Sequence, residues 1–107
     1  MKKAKITNFD DTVVADFKKN PKALASFKDF VVKQYKKDKD FEAFKESLKL
    51  IIKAERGTAT KIANNAHIDR TGIYKALSPK INPRIDTFKT ILNGAGFDID
   101  IVKLQKV

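Results

Sequence analysis

The chain has 107 residues, of which 42% are hydrophobic and 34% charged, and its formal net charge is +10. Length and apolar fraction predict one folded domain, and the basic charge favours a polyanionic partner. Because cysteine is absent, disulfides and thiolate metal sites are excluded. With no signal-like segment and no apolar run of membrane-spanning length, we expect a cytoplasmic, nucleoid-associated protein with no membrane partner.

The N-terminal half predicts three amphipathic helices behind a short arm. We expect residues 1–8 to be extended or disordered, and Asp10 to cap a short helix through about Lys18. Asn20 and Pro21 predict the next helix, because asparagine is a favoured N-cap residue and proline is favoured at the first helical position.

A break follows this second helix, which runs to about Lys37. Asp40 is placed to cap a third helix, whose apolar residues repeat at helical spacing as far as Ile52. We expect that helix to run to Arg56 and to end at Gly57.

The stretch from Thr58 to Leu77 is typical of a helix-turn-helix, two helices joined by a tight turn with the second helix placed in the DNA major groove. We expect Thr58 to cap the first helix and Asp69 the second. His67 occupies the turn, where a positive φ is expected and where histidine is among the tolerated residues. Small or apolar residues sit where the two helices must share a core: Ile62, Ala63, Ile68 and Ile73.

The outward face of the second helix predicts the DNA contacts. Arg70, near its start, is suited to donate two hydrogen bonds to guanine, and Thr71 to touch a thymine methyl group or a phosphate. Lys61 and Lys75 are suited to phosphates, which position a protein without reading sequence. The full predicted set of DNA-binding residues is Thr58, Thr60, Lys61, Asp69, Arg70, Thr71, Tyr74, Lys75 and Lys80.

Local charge supports this interpretation, because residues 57–84 contain five cations and one acid. Gly72, inside the second helix, is expected to cost up to about 1 kcal/mol relative to alanine. A glycine at this position indicates either that DNA approaches the backbone closely there or that the helix tolerates the loss of stability. The sequence predicts no catalytic residues, no metal site and no cofactor, and His67 is the only histidine. We therefore do not expect an enzyme.

The C-terminal part predicts one more helix and a strand. Pro79 ends the second motif helix, and Asn82-Pro83 is expected to open a last helix that closes near Gly94 and Gly96. The alternation of apolar and acidic residues over 97–101 has the period of a strand, which would pair with a second subunit or a partner chain. The predicted fold class is thus all-α, with five or six helices and a short C-terminal β-strand. Within one domain, 1–56 holds the N-terminal helices, 57–96 the helix-turn-helix core and 97–107 the strand and tail.

The most specific pattern in the chain resembles the HigA-type addiction-module antidote proteins, a branch of the Xre-like helix-turn-helix family. It consists of Arg70, then Ile-Tyr-Lys-Ala-Leu-Ser-Pro over 73–79, then Asn82-Pro83, Thr87 and Ile91. The resemblance extends over about residues 8 to 101. The family usually has glycine at the position of His67, a polar residue such as serine at Gly72, and Ala-Leu-Gly over 94–96.

This resemblance implies a lambda-repressor-like fold and a type II antitoxin. Such a protein works as a homodimer that binds an inverted repeat in its own operator and neutralises a RelE/ParE-like (HigB-like) toxin. Two alternatives stay open at this point: a stand-alone prophage-type repressor without a toxin, and a protein-interaction module that no longer binds DNA. The motif itself is also compatible with an ordinary helical hairpin.

Overall fold

The computed structural model describes residues 2–104, with side chains from Asp10 to Leu104. Within that range the chain forms six helices and no strand. Their bounds are α1 Lys2–Lys19, α2 Pro21–Asp38, α3 Phe41–Ala54, α4 Thr58–Ala66, α5 Arg70–Ala76 and α6 Ile85–Gly94. The prediction of an all-α domain with five or six helices is therefore confirmed.

The N-terminal arm predicted for residues 1–8 is wrong for the described residues, because α1 begins at Lys2. Asp10 consequently lies inside a helix rather than at its cap. No proline or glycine precedes Pro21, so nothing in the sequence stops the helix from extending toward the N-terminus. The helix ends as predicted before Asn20, whose side-chain oxygen accepts a hydrogen bond from the Ala23 amide at 3.2 Å and caps α2.

The connections on either side of α3 use local signals that the sequence carries. Lys39 adopts the left-handed conformation (φ 57°) after α2, and the Asp40 carboxylate then accepts from the Ala43 amide at 3.0 Å to cap α3. At its other end, α3 stops at Ala54, two residues before the predicted end. Glu55 is extended and Gly57 left-handed (φ 85°), so the turn into α4 begins earlier than glycine alone indicates.

The loop before α6 is longer than predicted. Asn82-Pro83 does not open that helix, which begins at Ile85 after an extended Arg84. In this loop the Lys45 ammonium on α3 binds the backbone carbonyls of Ser78 and Ile81.

No strand forms in the described tail, so the predicted C-terminal β-strand is wrong as far as Leu104. The alternation over 97–101 instead reflects intramolecular packing, because the partly buried Phe97 and Ile99 lie against the core. Asp98, between them, accepts hydrogen bonds from the side chains of Asn93 (3.0 Å) and Lys89 (3.1 Å). These bonds, the Asn93 bond foremost, lower the Asp98 pKa to about 2.

The core joins α3 to the three helices that follow it. Fully buried aliphatic side chains come from each: Leu48, Ile51, Ile62, Ile73, Leu77 and Ile91. The approach of α6 to α4 is so close that a Cβ atom added at Gly94 would overlap the Ile62 side chain. The α4–α5 pair is therefore fixed to the domain by its inner face. None of the helices described is long and apolar enough to cross a membrane.

Candidate nucleic-acid interface

The turn between α4 and α5 has the backbone geometry expected of a helix-turn-helix. His67 follows α4 in the left-handed conformation (φ 58°, ψ 40°), and the Ile68 amide donates back to the Ala63 carbonyl at 3.1 Å. Ile62 and Ile73 are fully buried, as predicted for residues that the two helices share. The two helices thus form one rigid unit.

Asp69 caps α5, as predicted, by accepting a hydrogen bond from the Gly72 amide at 2.7 Å. The same cap explains the glycine inside a seven-residue helix. A Cβ atom at position 72 would lie 3.2 Å from the Asp69 carboxylate and 3.3 Å from the Ile68 Cβ atom. Gly72 therefore lets the capping carboxylate and Ile68 lie close to the first turn. The Asp69 carboxylate thus stabilises the N-terminus of α5.

Arg70 is the first residue of α5 and is exposed to solvent. Its Nη2 atom donates to the Thr60 hydroxyl on α4 at 3.1 Å, so two of the predicted DNA-binding residues are brought together. The bond uses one of five guanidinium N–H donors and leaves the others free to bind a planar pair of acceptors.

The other cations of the predicted set lie on exposed surface. Lys61 lies on α4, Lys75 on α5, and Lys80 in the loop that follows, and Thr71 is exposed beside Arg70. Lys80 interacts electrostatically with the Glu42 carboxylate, whereas Lys61 and Lys75 form no ion pair with an acid among the residues that the structure describes. Their positive charges therefore remain available to a phosphate backbone.

Tyr74 is less exposed than the other predicted DNA-binding residues of α5. It is half-buried, with the Lys53 ammonium 5.5 Å from its ring centre. Burial raises the Tyr74 pKa, and the nearby Arg70 charge opposes that shift. The ring thus forms a wall between α5 and the C-terminal end of α3.

Thr58 does not cap α4. It is the first residue of the helix, Gly57 holds the cap position, and no side chain completes the cap. The Thr58 residue is 6% exposed, and its hydroxyl donates to the Glu55 carboxylate at 3.1 Å. Glu55 in turn accepts from the Lys28 ammonium at 2.9 Å, which ties α2 to this turn. The Thr58 hydroxyl is therefore engaged inside the protein.

A buried lysine, which the sequence analysis did not single out, fixes the far end of α5. Lys45 is fully buried, and its ammonium donates to the carbonyls of Ile81 (2.6 Å) and Ser78 (3.0 Å) and lies 3.1 Å from the Glu42 carboxylate. Glu42 also accepts from the Lys80 amide at 3.0 Å. The bonds from the Lys80 amide and from Lys45, in that order, lower the Glu42 pKa. This Lys45–Glu42 clamp sets the path of the loop that carries Lys80.

The described residues contain no group of three or more histidine, cysteine or acidic side chains arranged to hold a metal ion. What the geometry offers is an exposed array of hydrogen-bond donors and positive charges on a small, firmly held pair of helices. Such an array suits the binding of an extended anionic partner.

Comparison with known families assigns the chain. The sequence model of a family described as "Probable addiction module antidote protein" matches residues 5–103. The chain belongs to this family. The match covers nearly the whole sequence and supports an antitoxin role with a cognate toxin as partner. Neither curated proteins nor solved structures gave a significant match.

Proposed function

We propose that this antidote-family protein is a sequence-specific DNA-binding antitoxin that represses its own operon. The observation that carries the proposal is the exposed Arg70 at the start of α5, oriented by its bond to Thr60. Residues at this end of a recognition helix are those that reach base edges in the major groove. An arginine there is suited to the O6 and N7 acceptors of guanine.

Phosphate contacts fall to the exposed residues around Arg70. Lys61, Lys75 and Lys80 supply exposed positive charge, and Thr60 and Thr71 supply exposed hydroxyl groups. Thr58, Asp69 and Tyr74 are assigned structural tasks instead, since their polar groups or rings are engaged within the protein.

We further propose that the protein acts as a homodimer of the HigA type. Its two α5 helices would enter successive major grooves about 34–36 Å apart and read an inverted repeat. Its toxin partner would be RelE/ParE-like. Support for these two statements comes from the resemblance of the segment 70–91 to that branch of the helix-turn-helix family, and membership in the antidote family favours the antitoxin over a stand-alone repressor.

Gel shift with the DNA upstream of the gene, compared with random DNA of equal length, tests the proposal. Arg70→Ala is expected to weaken specific binding by about 1–3 kcal/mol and to relax base preference. Lys75→Ala is expected to lower the salt dependence of binding with little change in specificity. Equal weakening of Arg70→Ala on specific and random DNA would remove Arg70 from base reading. Absence of any operator preference in the unmodified protein would reject the repressor role.

A further inference from the structure

An open groove separates the first two helices from the helix-turn-helix. Its volume is about 810 Å³, and it is lined by the end of α1, the start of α2, the end of α3 and one side of α5. This volume corresponds to about two turns of an α-helix with side chains, taken as a cylinder roughly 10 Å across. The groove is therefore large enough for a short helical segment of another protein.

Apolar side chains form the floor of this groove and part of its walls, and polar groups make up the rest of its exposed lining. Val14 and Phe17 from α1 and Tyr74 from α5 are half-buried at its sides, while Leu24 and Ile52 lie buried beneath them. An apolar surface of this kind binds the apolar face of an amphipathic helix.

The rim of the groove is strongly basic. Four cations line it, Lys18, Lys53, Arg56 and Arg70, against one acid, Glu55. The Glu55 carboxylate is already neutralised by Lys28, which donates to both of its oxygens at 2.9 and 3.1 Å. Among the described residues, none of the four rim cations forms an ion pair with an acid. The rim is thus electrostatically complementary to acidic side chains.

We propose that this groove is a docking site for an amphipathic helix of a partner protein, with an apolar face flanked by acidic residues. The apolar face would lie on the half-buried side chains of Val14, Phe17 and Tyr74, and the acidic flanks would pair with Lys18 on α1 and Lys53 on α3. Arg70 lies at the edge shared with the nucleic-acid interface. The docking site does not depend on DNA binding, so this proposal can be correct even if the proposed DNA-binding function is wrong.

A model peptide in solution tests the proposal on the full chain. The probe is a labelled, end-capped peptide of about 14 residues, roughly four helical turns, with leucines on one face and glutamates on both flanks. Fluorescence anisotropy is expected to show saturable binding. Lys18→Glu with Lys53→Glu is expected to weaken it at least about tenfold, since two attractive contacts become repulsive. The matched control, Lys33→Glu with Lys36→Glu, changes net charge equally on exposed positions of α2 outside the groove and is expected to change affinity less than about twofold.

Amide chemical shifts of the unmodified protein locate the peptide without any substitution. Shifts concentrated at Ala54, Gly57 and Ala59, which line the groove, are the expected result. Equal binding of a shuffled peptide, equal loss in both pairs of variants, or shifts centred elsewhere would overturn the proposal. The same shifts produced by a random DNA duplex would also overturn it and would make the groove part of the nucleic-acid interface.

Discussion

The two ends of α5 are held in different ways. At the N-terminal end, the helix is held by exposed polar groups: Asp69 caps it and Arg70 binds Thr60. At the C-terminal end, the fully buried Lys45 binds the loop carbonyls from beneath. Exposed bonds are exchanged for an external ligand at little cost, whereas a buried ammonium cannot leave its acceptors without leaving them unsatisfied. One end is thus suited to binding, and the other keeps the helix in place.

Removal of Lys45 should break the Lys45–Glu42 clamp, the C-terminal anchor of α5, and give the largest loss of stability. Lys45→Ala leaves the carbonyls of Ser78 and Ile81 without their donor and opens a space in the core, so the free energy of unfolding is expected to fall by about 2–4 kcal/mol. Urea unfolding followed by circular dichroism measures this change. The control is Lys49→Ala on the same helix, which deletes a half-buried side chain whose ammonium lies 3.4 Å from the exposed Glu46 carboxylate and should cost about 1 kcal/mol or less. Equal losses in the two variants would contradict the anchor.

Removal of the N-terminal cap should cost less. Asp69→Ala deletes one exposed capping bond to the Gly72 amide, and about 1 kcal/mol of stability is the expected loss. Asp40→Ala, which deletes the equivalent bond at the start of α3, serves as the matched variant and should cost a similar amount in the same unfolding assay. If Asp69→Ala destabilised the protein as much as Lys45→Ala, the two ends of α5 would not differ as described.

Sequence reasoning succeeded where the determining contacts are local. Asn20, Asp40 and Asp69 cap helices because each side chain reaches an amide three residues ahead, and His67 has the positive φ expected of its place in the turn. The same locality explains why the order and number of helices could be predicted. Repeating apolar residues already define which side of each helix faces the core.

Two of the wrong predictions concern segments that contact distant parts of the chain. The start of α6 lies at Ile85 rather than at Asn82-Pro83, after a loop that is bound by Lys45, more than thirty residues earlier in the chain. The tail was assigned as a strand because Phe97 and Ile99 alternate with acids, whereas the structure packs those side chains on the helical core. Within the candidate site, the sequence predicts Arg70 and Thr60 as separate DNA-binding residues. The hydrogen bond between them could not be predicted, because their distance depends on the angle between α4 and α5.

Loss of the Arg70–Thr60 bond should weaken operator binding while leaving the stability of the protein nearly unchanged. Thr60→Val removes the hydroxyl with little change of shape at an exposed site, so stability should change by no more than about 0.5 kcal/mol. Operator binding should weaken by about 0.5 kcal/mol, because Arg70 loses the contact that orders it before DNA arrives. Thermal melting and gel shift on the same preparation separate the two effects. Tighter operator binding by this variant would mean that the bond withholds Arg70 from DNA.

Acidification tests the outermost part of the C-terminal anchor and is expected to have the smallest effect. The Lys80 amide and the Lys45 ammonium lower the Glu42 pKa in the folded protein below its ordinary value of 4.5. The charged carboxylate therefore contributes stability above pH 4.5, and this contribution is lost as the pH falls through the lower folded-state pKa. Unfolding measurements should show Glu42→Gln less stable than the unmodified protein at neutral pH, with the difference shrinking under acid conditions. Glu46→Gln controls for the change in net charge on the same helix. A difference that grows on acidification would mean that Glu42 opposes the anchor, and Lys45 would then hold the loop through its two carbonyl bonds alone.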